Sequence, residues 1–290
     1  GINLTWQDFA DLSEVTPLLA RVYPNGSADV NHFHAAGGMG FVIAELLKNG
    51  LLDGSAKTVS GDNLHDYASE PFLDGGDLVW RAAPKVSGDI DILRPATDPH
   101  SVNGGLKMLD GNLGKAVIKT SALAEARHVI SAPAAIFTTE AEVEVAYQAG
   151  DLNRDVVVVL RCQGPMATGM PELHSLTPLL GNLQDKGYKV ALVTDGRMSG
   201  ASGSVPAAIH LFPEAVEGGP IGKIENGDHI TLDAKQGKLV VDADLDARPA
   251  LGISNLPAQR GFVRSLFAGL RQQPTSTEQG GGLNLLERSK

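Results

Sequence analysis

The sequence predicts a mixed α/β protein in which a short helical segment precedes a longer, strand-rich region. From residue 5 to residue 21 the apolar side chains recur at helical spacing, and the run AAGGMGFVIAELLKNGLL is typical of a helix that ends at Asn49-Gly50. From about Lys85 onward, short apolar runs alternate with Gly, Asn and Asp turns, as expected of strands. Helix signals at about 139–150, 173–186 and 205–211 make this region mixed rather than all-β.

The change in pattern places a domain boundary near Ala83 to Ser87, so that residues 1–84 and 85–290 form two domains. Within the second, turn signals at 225–228 and 235–238 separate alternating runs, which predicts a three-stranded meander. Residues 257–271 fit an amphipathic helix, and the glycine-rich tail after them is predicted to be mobile.

Composition excludes several functional classes. The 290 residues include 34 acidic and 24 basic side chains, a net charge of −10 that disfavours nucleic-acid and anionic-membrane partners. The sequence contains no apolar run of the roughly 20 residues that span a bilayer, so we expect a cytoplasmic protein. Cys162 is the single cysteine, which excludes an intramolecular disulfide and disfavours a self-contained iron-sulfur site. The chain opens on Gly1 without a linker, which suggests a fragment of a longer protein.

The stretch VALVTDGRMSGASGS, residues 190–204, has the strongest functional signal. A buried apolar strand ends in a polar, glycine-rich turn, and Pro206 fits the first turn of a following helix. Backbone N–H groups at such a helix start favour an anion or a serine alkoxide. The alternative is an ordinary strand-to-helix turn.

A second glycine-rich segment, RCQGPMATGMPEL, follows the apolar run DVVVVL. Ends of adjacent strands in one sheet bring their loops together, and open α/β sheets place ligands there. Glu172 in this segment has two interpretations. It is either a first-turn glutamate that complements a helix dipole or a carboxylate ligand for a hard cation such as Mg²⁺.

These two motifs, with ARVYPNGSADVNHFHAAGGM upstream and PEAVEGGPIGKIENGD downstream, resemble the dihydroxy-acid and sugar-acid dehydratase family. The forms NHFHAAGGM and DGRMSGASGSVPAAIH are most similar to its branch acting on 6-phosphogluconate. The resemblance runs in order from Thr5 to the tail.

The resemblance implies a two-domain, dimeric enzyme with a cluster-bearing α/β domain and a C-terminal β-barrel-like swivelling domain. This chain would be its C-terminal half, and residues 1–84 would be the C-terminal part of the cluster-bearing domain. The implied reaction converts 6-phospho-D-gluconate to 2-dehydro-3-deoxy-6-phospho-D-gluconate. Ser199 matches the family's catalytic serine, and we expect it to remove the C2 proton, while Glu172 matches its metal-ligand glutamate. The family's cluster cysteines match nothing here, and Cys162 is not one of them, so the isolated chain is expected to be inactive.

The candidate substrate-binding residues are polar groups near predicted strand or helix ends. Arg197 is favoured because its planar guanidinium binds carboxylates and phosphates bidentately. His32 and His34 would face the same way on a strand, although such a pair is more often polar packing. The remaining candidates are Lys119 after the run AVI and, at the predicted helix start, Ser202, Gly203 and Ser204. The alternatives are a dehydratase of an unphosphorylated sugar acid or branched dihydroxy acid and a non-catalytic dimerisation module.

Overall fold

The computed structural model describes residues 4–59, 61, 63–199, 203–252, 261–262, 266, 269–270 and 274–283. The chain divides into two compact units, residues 1–10 with 106–290 and residues 11–105. The units are defined by spatial contacts, and the domain boundary at 84/85 stays a prediction. No helix in the described ranges is long and apolar enough to cross a membrane.

Six α-helices have both ends within the described ranges, and local sequence accounts for several of these ends. The predicted helix at 139–150 is confirmed, since Thr139 and Glu142 form a capping box at its start and Gly150 ends it at φ 84°. The predicted helix at 173–186 is confirmed but begins later, at Leu176. The bounds are α1 Trp6–Val15, α2 Val30–Ala36, α3 Gly38–Lys48, α4 Glu140–Ala149, α5 Pro165–Thr168 and α6 Leu176–Asp185.

The unit formed by residues 11–105 contains α2, α3 and a two-stranded antiparallel hairpin of β1 (Ser69–Asp74) and β2 (Asp77–Ala82). Between residues 51 and 84 the sequence predicts only a turn or short helix, at GDNLHDYA, and the structure has the 3₁₀ helix Leu64–Tyr67 there. A small apolar cluster forms the core of this unit, with Leu19, Phe41 and Leu93 buried.

The other unit is a closed eight-stranded barrel in the order β10-β3-β4-β8-β7-β6-β5-β9. Its strands are β3 Leu106–Gly111, β4 Gly114–Lys119, β5 Val129–Phe137, β6 Val156–Leu160, β7 Val190–Thr194, β8 Ala207–Phe212, β9 His229–Asp233 and β10 Lys238–Asp242. Strands β5, β6, β7 and β8 run parallel to their neighbours in that series, and β4 pairs with β8 antiparallel. The predicted mixed α/β fold with a barrel-like domain is therefore confirmed.

Strand β6 shows why the barrel needs helices on one side. Its five apolar residues are all buried: Val157 and Val159 belong to one core cluster, whereas Val156 and Val158 belong to a second. The second cluster includes Leu176, Leu180 and Leu183 of α6. A strand buried on both faces reads as a continuous apolar run because neither face meets water.

The prediction of a helix at 205–211 is wrong. The segment instead forms β8, which lies between β7 and β4. Pro206 precedes the strand, where its missing N–H breaks no ladder bond, and its carbonyl accepts a bond from Leu192 N at 2.9 Å. Pairing on both sides outweighs the local helix-start signal.

Two smaller predictions have mixed outcomes. The β9–β10 hairpin forms around residues 234–237, as expected. The run before it is the 3₁₀ helix Pro220–Lys223 rather than a third meander strand, and β9 pairs on its other side with β5. Most of the helix predicted at 257–271 lies outside the described residues.

Candidate functional site

The ends of β6 and β7 bring the two glycine-rich segments together. The strands pair in parallel with Leu160 opposite Thr194, so the residues that follow them leave the same edge of the sheet. The adjacency predicted for these two strand ends is confirmed. Polar groups that are distant in sequence are thus held by rigid, buried strands.

Glu172 and Arg197 meet at this edge. They form an isolated parallel bridge, and the guanidinium Nη1 lies 3.6 Å from the Glu172 carboxylate. Arg197 Nε donates to the Met170 carbonyl at 2.9 Å, and Leu173 N donates to the Arg197 carbonyl at 3.0 Å. Because α6 begins only at Leu176, Glu172 is not a first-turn residue of that helix. Both side chains are nearly half exposed, so the pair adds little stability and is accessible to a ligand.

Lys119 and Ser199 lie next to each other. The ammonium group at the end of β4 donates to the backbone carbonyl of Ser199 at 2.7 Å. Burial lowers the pKa of Lys119, and the neighbouring Glu172 carboxylate partly offsets the effect. The structure therefore gathers four sequence-predicted residues: Lys119, Glu172, Arg197 and Ser199.

His210 belongs to the same cluster, although the sequence did not identify it. It occupies a bulge in β8, where the register against β4 shifts and φ is 57°. Its N–H donates to the Gly196 carbonyl at 2.8 Å. Burial lowers the pKa of the imidazole, and Lys119 and Arg197 lower it further, so the ring is neutral at neutral pH. The sequence signal for His210 is a single histidine within an apolar run. The prediction of a helix at 205–211 hid its position on a barrel strand.

Three further predicted binding residues lie between β7 and β8. Ser202 lies outside the described residues, while Gly203 and Ser204 form a turn before β8. Without a helix at 205–211, the argument for a phosphate at its N-terminus does not hold. Arg127 Nη1 approaches the Ser204 carbonyl at 3.5 Å.

His32 and His34 lie on helix α2 of the other unit, not on a strand. The N-terminus of α2 is already occupied by a carboxylate. Asp29 accepts hydrogen bonds from Asn31 N at 2.8 Å and His32 N at 3.0 Å, and its Oδ1 is 2.8 Å from His32 Nδ1. A substrate-binding role for His32 and His34 remains a prediction, and the Asn31 and His32 amides are not available to a bound anion.

Cys162 does not fit an iron-sulfur ligand. It is buried at 4% exposure in the core cluster shared by barrel strands, and burial raises its pKa to about 11. A cluster ligand must be a thiolate, and clusters need several. The described residues also contain no group of three or more His, Cys, Asp or Glu able to hold a metal ion. Glu172 offers one carboxylate, beside two cations, so these residues do not by themselves form a Mg²⁺ site.

Comparison with known proteins assigns both parts of the chain to one family. The family model for the dihydroxy-acid/6-phosphogluconate dehydratase C-terminal domain matches residues 91–281, and the corresponding N-terminal model matches residues 1–67. The chain is 54% identical over 286 residues to a phosphogluconate dehydratase of Pseudomonas aeruginosa, covering 97% of this chain and 46% of that protein.

Two further relatives show the same coverage. A phosphogluconate dehydratase of Escherichia coli is 50% identical over 284 residues, covering 97% of this chain and 47% of that protein. A dihydroxy-acid dehydratase of Nitratidesulfovibrio vulgaris is 36% identical over 287 residues, with 97% and 48% covered. The chain thus spans about half the length of the curated relatives it matches. It belongs to the dihydroxy-acid/6-phosphogluconate dehydratase family.

Proposed function

We propose that this chain is the C-terminal half of a hydro-lyase that converts 6-phospho-D-gluconate to 2-dehydro-3-deoxy-6-phospho-D-gluconate. The observation that carries the proposal is the gradient of identity. Relatives named phosphogluconate dehydratase are 50% and 54% identical to the chain, whereas a dihydroxy-acid dehydratase is 36% identical. The cluster of Ser199 with two cations and a carboxylate is consistent with an anionic sugar-acid substrate.

Ser199 removes the proton from C2 in this proposal. The electron pair of the C2–H bond forms the C2–C3 double bond, and the C3–O bond breaks to release hydroxide, which leaves as water after protonation. The enol product then tautomerises to the 2-oxo acid. A serine hydroxyl is a weak base, so its alkoxide must be stabilised. The ammonium group of Lys119, which donates to the Ser199 backbone, supplies positive charge for this purpose.

Arg197 and Glu172 orient the substrate. The Arg197 guanidinium, held by the Met170 carbonyl, binds the substrate carboxylate or phosphate through two parallel hydrogen bonds. Glu172 accepts from substrate hydroxyls or supplies one ligand to a cation. Ser202, Gly203, Ser204, His32 and His34 remain substrate contacts predicted from sequence alone, and the argument from a helix start at 205 no longer supports the first three.

The cofactors of this reaction are not supplied by the chain. In the proposal the family's iron-sulfur cluster would be held by residues in another part of the enzyme and would supply Lewis-acid chemistry there. Any Mg²⁺ would likewise need ligands beyond Glu172. We further propose that the whole enzyme is a cytoplasmic homodimer, as expected from the family resemblance.

The test is a substrate comparison with the full-length enzyme that contains this chain. Turnover of 6-phosphogluconate is expected to exceed that of gluconate and of a branched dihydroxy acid. A preference for an unphosphorylated acid would contradict the substrate assignment.

A serine substitution tests the base. Ser199→Ala is expected to abolish turnover while the iron content and the unfolding temperature stay unchanged. Ser131→Ala, at an exposed position of β5, is the matched control and should retain activity. Near-normal turnover in Ser199→Ala would remove Ser199 from the mechanism.

A further inference from the structure

Asp195 ties three barrel strands together from a fully buried position. It directly follows β7, and its carboxylate accepts hydrogen bonds from Cys162 N at 3.1 Å and Gln163 N at 2.8 Å, both just after β6. It also accepts from Ala215 N at 2.9 Å, shortly after β8. Its exposure is 0%. A buried carboxylate with three backbone donors fixes the spacing of those three chain segments.

Glu214 is a second fully buried carboxyl at the same edge. It lies two residues after β8, and it accepts from Met166 N at 2.8 Å and Ala167 N at 3.2 Å. Both donors belong to the first turn of α5. Gly164 packs so closely on the Glu214 carboxyl that any Cβ at this position would collide with it. Glu214 therefore anchors the start of the segment 164–172, which we call the GMPE loop.

The other end of the GMPE loop reaches the candidate site. After α5, Gly169 and Met170 turn the chain with φ values of 79° and 54°. The Met170 carbonyl then accepts from Arg197, and Glu172 bridges to the same residue. The loop is thus held at its start by Glu214 and at its end by Arg197. Only a few ordered residues separate the amides bound by Glu214 from Glu172.

We propose that Glu214 is a positioning residue: the buried pair Asp195 and Glu214 holds one proton, and this proton keeps the GMPE loop closed so that Glu172 stays in the site. The catalytic consequence rests on the proposed function, whereas the loop behaviour does not. Two carboxyl groups in one buried pocket cannot both ionise without a large penalty. Burial raises the pKa of Asp195 as well as that of Glu214, and backbone donors oppose this effect, three at Asp195 and two at Glu214. On this difference in donors we assign the charge to Asp195 and the proton to Glu214.

The groups that face Glu214 support this distribution. Burial raises the pKa of Glu214 to about 7, with further increases from Asp195 and from Glu217 in its own loop, against the lowering effect of the two amide donors. At the end of β6, the Cys162 thiol faces both carboxyls, with Arg161 beside it. The Arg161 guanidinium donates to the carbonyls of Gly222 and Ile224.

Linkage fixes the sign of the effect. When the GMPE loop opens, Glu214 becomes hydrated and its pKa returns towards the ordinary value of about 4.5. The closed loop therefore binds the proton more tightly than the open one. Closure is strongest below about pH 4.5 and weakens as the pH rises to about 7, with little further change above that. The equilibrium constant for loop opening should rise about 300-fold across this window, because the two pKa values, about 7 and 4.5, differ by about 2.5.

Hydrogen–deuterium exchange of the full-length enzyme measures this opening. Peptides covering residues 164–171 are followed at pH 5, 6, 7 and 8, with rates corrected for intrinsic base catalysis. Wild-type protection should fall between pH 5 and 7 and then level off. Glu214→Gln, which resembles the protonated acid, should remain protected at pH 8. This gain of protection cannot arise from a misfolded variant.

Two controls isolate the contact. Glu217→Gln should keep the fall in protection but shift it to slightly lower pH, because Glu217 does not bind the loop amides and is the smallest of the causes that raise the pKa of Glu214. Gly164→Ala, which displaces the Glu214 carboxyl, should raise exchange of the loop at every pH. Gly181→Ala in α6, where a Cβ meets no atom within 4 Å, should leave exchange unchanged. Identical pH profiles in wild type and Glu214→Gln would overturn the proposal.

Kinetics separate this proposal from the proposed function. The quantity to compare is the ratio of kcat/KM at pH 8 to kcat/KM at pH 6, measured with 6-phosphogluconate. This ratio should be higher in Glu214→Gln than in wild type. An exchange profile that depends on Glu214 in an enzyme without activity on 6-phosphogluconate would refute the function and retain the loop inference. An enzyme that is active on 6-phosphogluconate but whose loop exchange does not depend on Glu214 would support the function and refute the loop inference.

Discussion

The ammonium group of Lys119 donates a hydrogen bond to the backbone carbonyl of Ser199 across 2.7 Å, which joins the end of β4 to the loop after β7. These residues are far apart in sequence, and the antiparallel pairing of β4 with β8 places Lys119 beside the segment that leads into β8. The contact fixes the backbone of the proposed base. It also places a partly buried cation against the backbone of this residue.

Replacing Lys119 with Met should lower kcat of the full-length enzyme by about 10²- to 10³-fold, the usual cost of losing a charge-stabilising donor. Met preserves most of the length of the side chain but removes the charge. Steady-state kinetics with 6-phosphogluconate measures the effect. Lys115→Met on the same strand removes only the exposed pair with Glu278, at 3.4 Å, and should be silent. Equal kcat in the two variants would show that Lys119 does not act on Ser199.

Replacing Arg197 with Lys should raise KM roughly 10- to 100-fold, which corresponds to the loss of one or two charge-assisted hydrogen bonds. Lys keeps the charge but lacks the planar fork, and it cannot reproduce the Nε–H bond to Met170. The unfolding temperature should change little, since the ion pair with Glu172 is nearly half exposed. Arg154→Lys, at an exposed arginine that bonds the Asp151 carbonyl, is the control. An unchanged KM with a large loss of stability would make Arg197 structural.

The proximity of the two loops that carry Glu172 and Arg197 could be predicted from sequence because each loop follows a continuous apolar run. Such runs are typical of strands buried on both faces, and adjacent parallel strands end at the same edge. The detailed contacts could not be predicted in this way. They depend on the register of Leu160 opposite Thr194 and on the two left-handed residues that turn the GMPE loop.

The strand β8 could not be identified from local signals. Pro206 followed by Ala207 and Ala208 fits a helix start, and alanine favours helices. Long-range pairing decides the outcome, because this segment completes the barrel between β7 and β4. The error also concealed His210 and produced a helix-terminus phosphate site that the fold does not contain.

The backbone conformation of His210 leads to a prediction about stability. With φ at 57°, the residue adopts the left-handed conformation, which asparagine tolerates and β-branched residues strongly disfavour. His210→Val should therefore lower the free energy of unfolding by about 1–3 kcal/mol more than His210→Asn. Urea denaturation of the chain measures both. Equal losses would mean that the bulge can relax without cost.

His210 also gives a pH dependence that can be separated from that of Glu214. Burial, Lys119 and Arg197 hold the pKa of the imidazole below its ordinary value of 6.5, so the folded chain binds a proton less readily than the unfolded one. The stability from this residue is fully present above pH 6.5 and is lost as the pH falls through the lowered pKa.

The free energy of unfolding in Glu214→Gln should therefore fall on acidification below pH 6.5, and the loss should be smaller when His210→Asn is added. His229→Asn, at an exposed position of β9, is the matched control and should not change the loss of stability below pH 6.5. If His210→Asn does not change the loss of stability below pH 6.5, the imidazole gains its proton as readily in the folded chain as in the unfolded one. Burial beside two cations would then not govern its protonation.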